Sequence, residues 1–200
     1  SKMSFRIEKK FKLTNSDKRV LKASLIENGM KKLYKGRLVN SCYLDTYDLR
    51  MFSESDEGIL PRKKIRFRWY ENEEVFNKEI KISSVEGRFK RFQKIENFNL
   101  RQLKLRKLFD ENYGVIYPSL IIKYFREYYL YKDLRFTFDS NIEYYDTRSL
   151  CHRKFLDHEN VMEIKTSISV PEDFFEKILG IQPVRFSKYC RGLSLVSKIK

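Results

Sequence analysis

Lys64-Ile65-Arg66-Phe67-Arg68-Trp69 alternates cation with apolar residue without a break. Successive side chains of a β-strand point to opposite faces. As a strand the segment places Lys64, Arg66 and Arg68 on one face and Ile65, Phe67 and Trp69 on the other. One such strand would be an ordinary half-solvated piece of sheet. The pattern recurs along most of the chain. Glu8 and Lys10 share a face, as do Glu79 and Lys81, with Ile80 and Ile82 opposite. Arg88 and Lys90 flank Phe89, and Tyr124, Arg126 and Tyr128 share a face. Arg135, Thr137 and Asp139 stand opposite Leu134, Phe136 and Phe138, and Glu163 and Lys165 stand opposite Met162 and Ile164.

The same reading predicts strands over 4–12, 37–45, 62–70, 75–83, 88–95, 120–130, 134–139 and 161–167. Val85-Glu86-Gly87 and Tyr131-Lys132-Asp133 are the turns of two hairpins. Thr14 or Ser16 caps a helix that stops at Asn28-Gly29, and Asn99 caps a second over 100–109. Pro171 opens a helix that ends at Gly180, and a last short helix covers 187–196. Short connections favour antiparallel pairing. The expected fold is α+β, a closed eight-stranded antiparallel β-barrel with flanking helices, in a single domain spanning 1–200.

Charge narrows the function. Lys and Arg total 42 against 27 Asp and Glu, a formal charge of +15. Self-repulsion of that size destabilises a compact chain unless a polyanion meets it. A plain solvated face mixes signs, because like charges directly opposite each other destabilise a sheet. Here cations dominate one face of strand after strand, with a few glutamates between them. If that face points into a barrel, each cation needs an anion or water, and the apolar face needs a cover of helices.

Other classes recede. No apolar run reaches the roughly 20 residues a membrane span needs, and no signal-peptide core is expected at the N-terminus. Cys42, Cys151 and Cys190 are odd in number and widely spaced, as reduced thiols of a cytosolic protein would be. Cys151, His152 and His158 fit no standard zinc spacing and read as a polar loop. Neither a Gly-x-x-x-x-Gly-Lys nor a Gly-x-Gly-x-x-Gly loop is present. The cations of 100–109 suit a solvated helix face, with an acidic membrane surface as the alternative. Aromatic-interleaved basic strands would also suit an oligonucleotide. Glu8, Glu79, Asp139 and Glu163 on the same faces argue against that partner.

In order and spacing, the segments 6–10, 43–48, 62–70, 79–81, 90–91, 124–126, 135–139, 163–165 and 187–189 resemble the vacuolar transporter chaperone (VTC) domain. That domain is a branch of the triphosphate tunnel metalloenzymes, alongside the CYTH phosphatases. CYTH phosphatases open with Glu-x-Glu-x-Lys, whereas Arg6 stands at the first Glu position of Arg6-Ile7-Glu8-Lys9-Lys10. The departure favours the VTC branch. The sequence carries neither the phosphate-sensing domain nor the membrane helices of fungal VTC proteins.

The resemblance implies a tunnel lined by basic residues in which polyphosphate is made from ATP with Mn²⁺ or Mg²⁺. By position it implies Lys10, Arg66, Arg68, Lys81, Arg126, Arg135 and Lys188 as the phosphate-binding catalytic set. Lys90 joins them, with Arg88 or Arg91 as alternatives for its place. Tyr124, Lys165, Arg185 and Ser187 lie near the path of substrate and product. Glu163 is the implied metal ligand and Glu8 the second candidate, against the alternative that both merely pair with neighbouring cations. The implied partners are ATP and polyphosphate or triphosphate, with no nucleic acid; a membrane-protein partner is a further option, and oligomeric state stays open. Phosphoryl transfer asks the protein for alignment and charge neutralisation. Arginine forks and lysine point charges supply both, and Mg²⁺ often needs only one or two carboxylates. Two other functions fit the same residues: a tunnel triphosphatase, and a module that only binds polyphosphate or phosphorylated signals.

Overall fold

A computed structural model describes residues 7–71, 75–95, 107–148, 153–167, 171 and 173–198. In chain order its elements are β1 (Ile7–Leu13), α1 (Asn15–Glu27), β2 (Lys31–Asp45), α2 (Arg50–Glu57) and β3 (Arg62–Tyr70). Next come β4 (Phe76–Ser84), β5 (Gly87–Ile95), β6 (Leu108–Asp110), β7 (Gly114–Tyr131) and β8 (Leu134–Asp146). The chain ends with β9 (Lys154–Leu156), β10 (Asn160–Thr166), α3 (Phe174–Leu179) and α4 (Lys188–Ser197). Strand β3 covers the alternating segment, and the strand boundaries agree best where period-two alternation is cleanest.

The chain divides into two compact units. One comprises Ser1–Leu38, Tyr124–Ile142 and Leu156–Phe186; the other comprises Val39–Lys123, Glu143–Phe155 and Ser187–Lys200. In the first unit β10 lies antiparallel between β1 and β8. Phe11, Met162 and Phe138 stand in one cross-strand row of the apolar face. Helices α1 and α3 cover that face with Leu25, Phe175 and Leu179, and Phe175 meets Phe11 edge-on with ring centroids 6.3 Å apart. Thr14 caps α1, its hydroxyl accepting from the Asp17 N–H at 3.1 Å. The turn between β7 and β8 has φ of 45° at Lys132 and 63° at Asp133, the left-handed pair that a tight hairpin requires.

In the second unit β2, β3, β4 and β5 form a consecutive antiparallel ladder. Its apolar face buries Cys42, Leu44, Ile65, Phe67, Trp69 and Phe76, with Met51 of α2 packed on them. Asp45 starts α2, its carboxylate accepting from the backbone N–H groups of Met51 (2.8 Å) and Phe52 (2.9 Å). The sequence reading missed α2, because its cap lies at the end of a strand rather than beside the helix.

Two expectations are corrected. The hydrogen-bonded path runs β1-β10-β8-β7-β2-β3-β4-β5, with β6 added to β7 and β9 to β8. Its length matches the expected eight strands, but among the described residues it is open, with β1 and β5 at its ends. Alternation reports which residues share a face and says nothing about whether two edges meet. Leu108 and Phe109, expected at the end of a helix, belong to β6 and pair with Ile116 and Val115; Lys107 is not helical, and 100–106 lie outside the described residues. Cys151 and His152 also fall outside them, and His158 is exposed.

Candidate functional site

On the cationic face of the second unit, pairing sets Lys64 opposite Lys81 and Lys81 opposite Lys90. Three like charges thus stand in one row across β3, β4 and β5. Such a row opposes folding and presents lysine point charges to an anion. Lys64 and Lys81 line a pocket with Tyr43, Arg66 and Glu79, a solvent-open space of about 240 Å³. Lys64 also donates to Ser187 Oγ at 2.9 Å. Ser187 in turn caps α4, accepting from the Cys190 N–H at 3.3 Å, which brings Lys188 to the helix start. Arg91 pairs with Ile80 and so lies on the opposite face, leaving Lys90 and Arg88 on the cationic side.

One row along, Arg66 sits between Tyr43 of β2 and Glu79 of β4. Its Nε donates to Glu79 Oε2 at 2.7 Å and its Nη1 to Tyr43 Oη at 2.8 Å. Glu79 also has Arg68 Nη1 at 4.0 Å and Lys90 Nζ at 3.6 Å. Burial pushes the Glu79 carboxyl up, but Arg66, Arg68 and Lys90 outweigh it and hold the group below its usual range. Burial likewise raises the Tyr43 phenol, yet Arg66, Arg68 and Lys64 pull it down to about 8. Arg68 is buried and donates to Ser41 Oγ at 3.1 Å. Sequence reasoning placed Glu79 on this face but gave neither it nor Tyr43 a role. Both bracing contacts run across strands, and no sequence spacing announces them.

Behind the pocket, Tyr189 of α4 stacks on Tyr43, with ring centroids 4.8 Å apart and planes 9° from parallel. Its hydroxyl donates to Asp45 Oδ2 at 2.6 Å and lies 3.0 Å from Ser119 Oγ. Burial and the Asp45 charge push the Tyr189 phenol well up. Burial also raises the Asp45 carboxyl, against the hydrogen bonds of Tyr189, Met51, Phe52 and Thr46.

The polar face of the first unit is ordered in the same way. Glu8, Lys165 and Arg135 form one cross-strand row, and Lys10, Glu163 and Thr137 the next. Lys165 Nζ lies 2.9 Å from Glu163 Oε1 and Lys10 Nζ 3.7 Å from Glu8 Oε1. Lys10 also donates to the Phe186 carbonyl at 3.0 Å. Arg126 makes a bidentate pair with the fully buried Asp139, at 2.6 and 2.7 Å, and lies 5.2 Å over the Tyr124 ring. Burial lowers the Arg126 pKa, but Asp139, Tyr124 and Glu163 more than reverse this, so the guanidinium stays charged. Arg135 and Arg185 are exposed.

Each unit therefore turns one face of alternating strands into an ordered field of cations braced by single carboxylates. The profile of the VTC domain matches residues 5–197. The chain belongs to the VTC domain family. Among solved structures it is similar to a candidate adenylate cyclase from Bacillus halodurans, with 14% identity over 91% of this chain and 93% of that one, and a TM-score of 0.59. A candidate adenylyl cyclase from Hippeastrum, reported with a dominant triphosphatase activity, matches with 16% identity over 95% and 96% of the two chains, also at TM-score 0.59. A conserved hypothetical protein from Pyrococcus furiosus matches with 14% identity over 92% and 99%, at TM-score 0.57. At such identities the likeness is one of fold alone. No curated protein matches.

For a divalent cation the VTC domain offers Glu163 and Glu8. They are diagonal neighbours on one face, a spacing of roughly 7–8 Å between backbones. The Thr137 hydroxyl, in the Glu163 row, is buried without a hydrogen-bond partner. Oxygen donors of this kind suit a hard ion, and one or two carboxylates suffice when water and phosphate complete the shell. Among the described residues no group of three or more His, Cys, Asp or Glu side chains could hold a metal without such help. The donor set thus fits a hard divalent cation in company with a phosphate ligand.

Proposed function

We propose that this VTC domain is a metal-dependent phosphoryl transferase that builds polyphosphate from ATP. The observation that carries the reading is the row Lys64, Lys81 and Lys90 beside an Arg66 already braced by Glu79 and Tyr43. Cations assembled at a cost to folding make sense when a polyanion repays it. The lysines neutralise phosphate oxygens. Arg66, fixed in direction by its two partners, aligns them without losing rotamer freedom at binding. Arg126, similarly fixed by Asp139, belongs to the catalytic set with Lys10, Arg68, Arg135 and Lys188. Glu163, with Glu8, would hold the Mn²⁺ or Mg²⁺, which would supply relief of repulsion between phosphate oxygens and stabilisation of the leaving group. A terminal oxygen of the growing chain attacks the γ-phosphorus of ATP, a new P–O–P bond forms, and ADP leaves with the electrons of the broken bond.

Incubation with ATP and Mn²⁺ tests this: acid-stable chains and ADP are expected. A second reading, hydrolysis of triphosphates, is favoured by the activity reported for the Hippeastrum protein of the same fold. Release of orthophosphate alone would select it over the polymerase. Tight tripolyphosphate binding with no turnover would leave only a binding module. Among the described residues no helix is long and apolar enough to cross a membrane.

A further inference from the structure

Phe92 is 62% exposed, and it stands on the cationic face of the second unit. The register settles the face, since Phe92 pairs with Glu79, itself opposite Arg66. Phe89, the other exposed aromatic of β5, pairs with Ile82 and points the other way. A lone exposed apolar side chain is ordinary. Phe92 differs in its neighbours. Lys90 precedes it by two residues, about 7 Å along the strand, and begins the lysine row that crosses to Lys81 and Lys64. Lys90 Nζ already lies over the Phe92 ring, 4.3 Å from its centroid.

We propose that Phe92 is a stacking platform for the base of a nucleoside triphosphate whose phosphates engage the lysine row. The proposal rests on the phosphoryl-transfer reading above and adds a subsite to it. Aromatic faces accept any base, because every base has a π-face. The ring is open to solvent, and the cations beside it match the charge of the attached phosphates. The cation–π contact keeps ring and lysine together while no phosphate is bound. A phosphate draws the flexible ammonium away and uncovers the ring. Inorganic tripolyphosphate carries no base and has no use for the platform, so the two ligands separate phosphate binding from base binding.

The test compares ATP with inorganic tripolyphosphate, each with Mg²⁺, by calorimetry on wild type, Phe92→Ala and Phe92→Tyr. Phe92→Ala is expected to weaken ATP on the order of tenfold and to leave tripolyphosphate unchanged, while Phe92→Tyr keeps both affinities. Unchanged melting temperatures would show that the variants fold. Equal losses for both ligands, or none for ATP, overturn the platform. If wild type binds both ligands and Phe92→Ala matches it, the platform falls alone; if wild type binds neither, the phosphoryl-transfer reading falls with it.

Discussion

Arg126 and Asp139 meet through two parallel hydrogen bonds, Nε to Oδ1 at 2.6 Å and Nη2 to Oδ2 at 2.7 Å. Asp139 is fully buried and the Arg126 side chain nearly so. Removing one partner of such a pair strands a charge away from water. Asp139→Asn should therefore lower stability by about 3–5 kcal/mol, read from denaturant unfolding. Arg126→Met in the same chain should recover much of the loss. If Asp139→Asn alone unfolds like wild type, the pair does not hold the guanidinium.

Tyr43 should titrate near pH 8, because three neighbouring cations overcome its burial. An unfolded phenol titrates near 10. The folded value is the lower one, so ionisation favours the folded state. This contribution is fully present above about pH 10 and is lost as pH falls through about 8. Between those values wild type should gain on the order of 2 kcal/mol over Tyr43→Phe. Phenolate absorbance gives the midpoint, and tripolyphosphate should move it upward by neutralising the cations.

Lys81 stands between two lysines of its own row. Lys81→Gln should raise the stability of the ligand-free protein by up to about 1 kcal/mol. The same change should weaken tripolyphosphate binding by on the order of tenfold, the worth of one charge-assisted contact. A variant that is both less stable and equally tight would contradict a row built for anions.

Glu163→Gln keeps the shape of a buried side chain and removes its charge. Metal-stimulated turnover should disappear, while tripolyphosphate binding measured without metal persists through the lysine row. Loss of the metal-free binding as well would mean that Glu163 serves the fold rather than the ion.

Gly192 lets α4 approach strand β8. A Cβ built there would lie 2.1 Å from Cδ1 of the fully buried Tyr144 ring. Gly192→Ala should cost about 1–3 kcal/mol by overpacking, measured by thermal or chemical unfolding. Since α4 also carries Tyr189, the Tyr43 titration should shift in the same variant.

The sequence made the faces legible. Alternation puts Lys64, Arg66 and Arg68 on one face of their strand, Glu79 and Lys81 on one face of theirs, and Arg88 and Lys90 likewise; the pairing of β3, β4 and β5 brings the three sets to one side. The cap of α1 was legible as Thr14 or Ser16, because a cap and its helix are adjacent in the chain, and Thr14 takes it; Ser187, read as the first residue of the last helix, is its cap. Asp45 was not, since it caps α2 with a side chain five residues upstream. Alternation already sets Arg91 on the face opposite Lys90; only the register of β4 and β5 puts Lys90 beside Lys81 and Arg91 beside Ile80.

By itself the sequence determined which side chains share a face, because the alternation of Cβ atoms is a local property of extended backbone. Only the tertiary structure decided which of them stand in one row. It made a like-charge row of Lys64, Lys81 and Lys90, braced Arg66 between Tyr43 and Glu79, and left β1 and β5 as the ends of the strand path. Those outcomes depend on register and edge pairing, which turn geometry and packing between distant segments set.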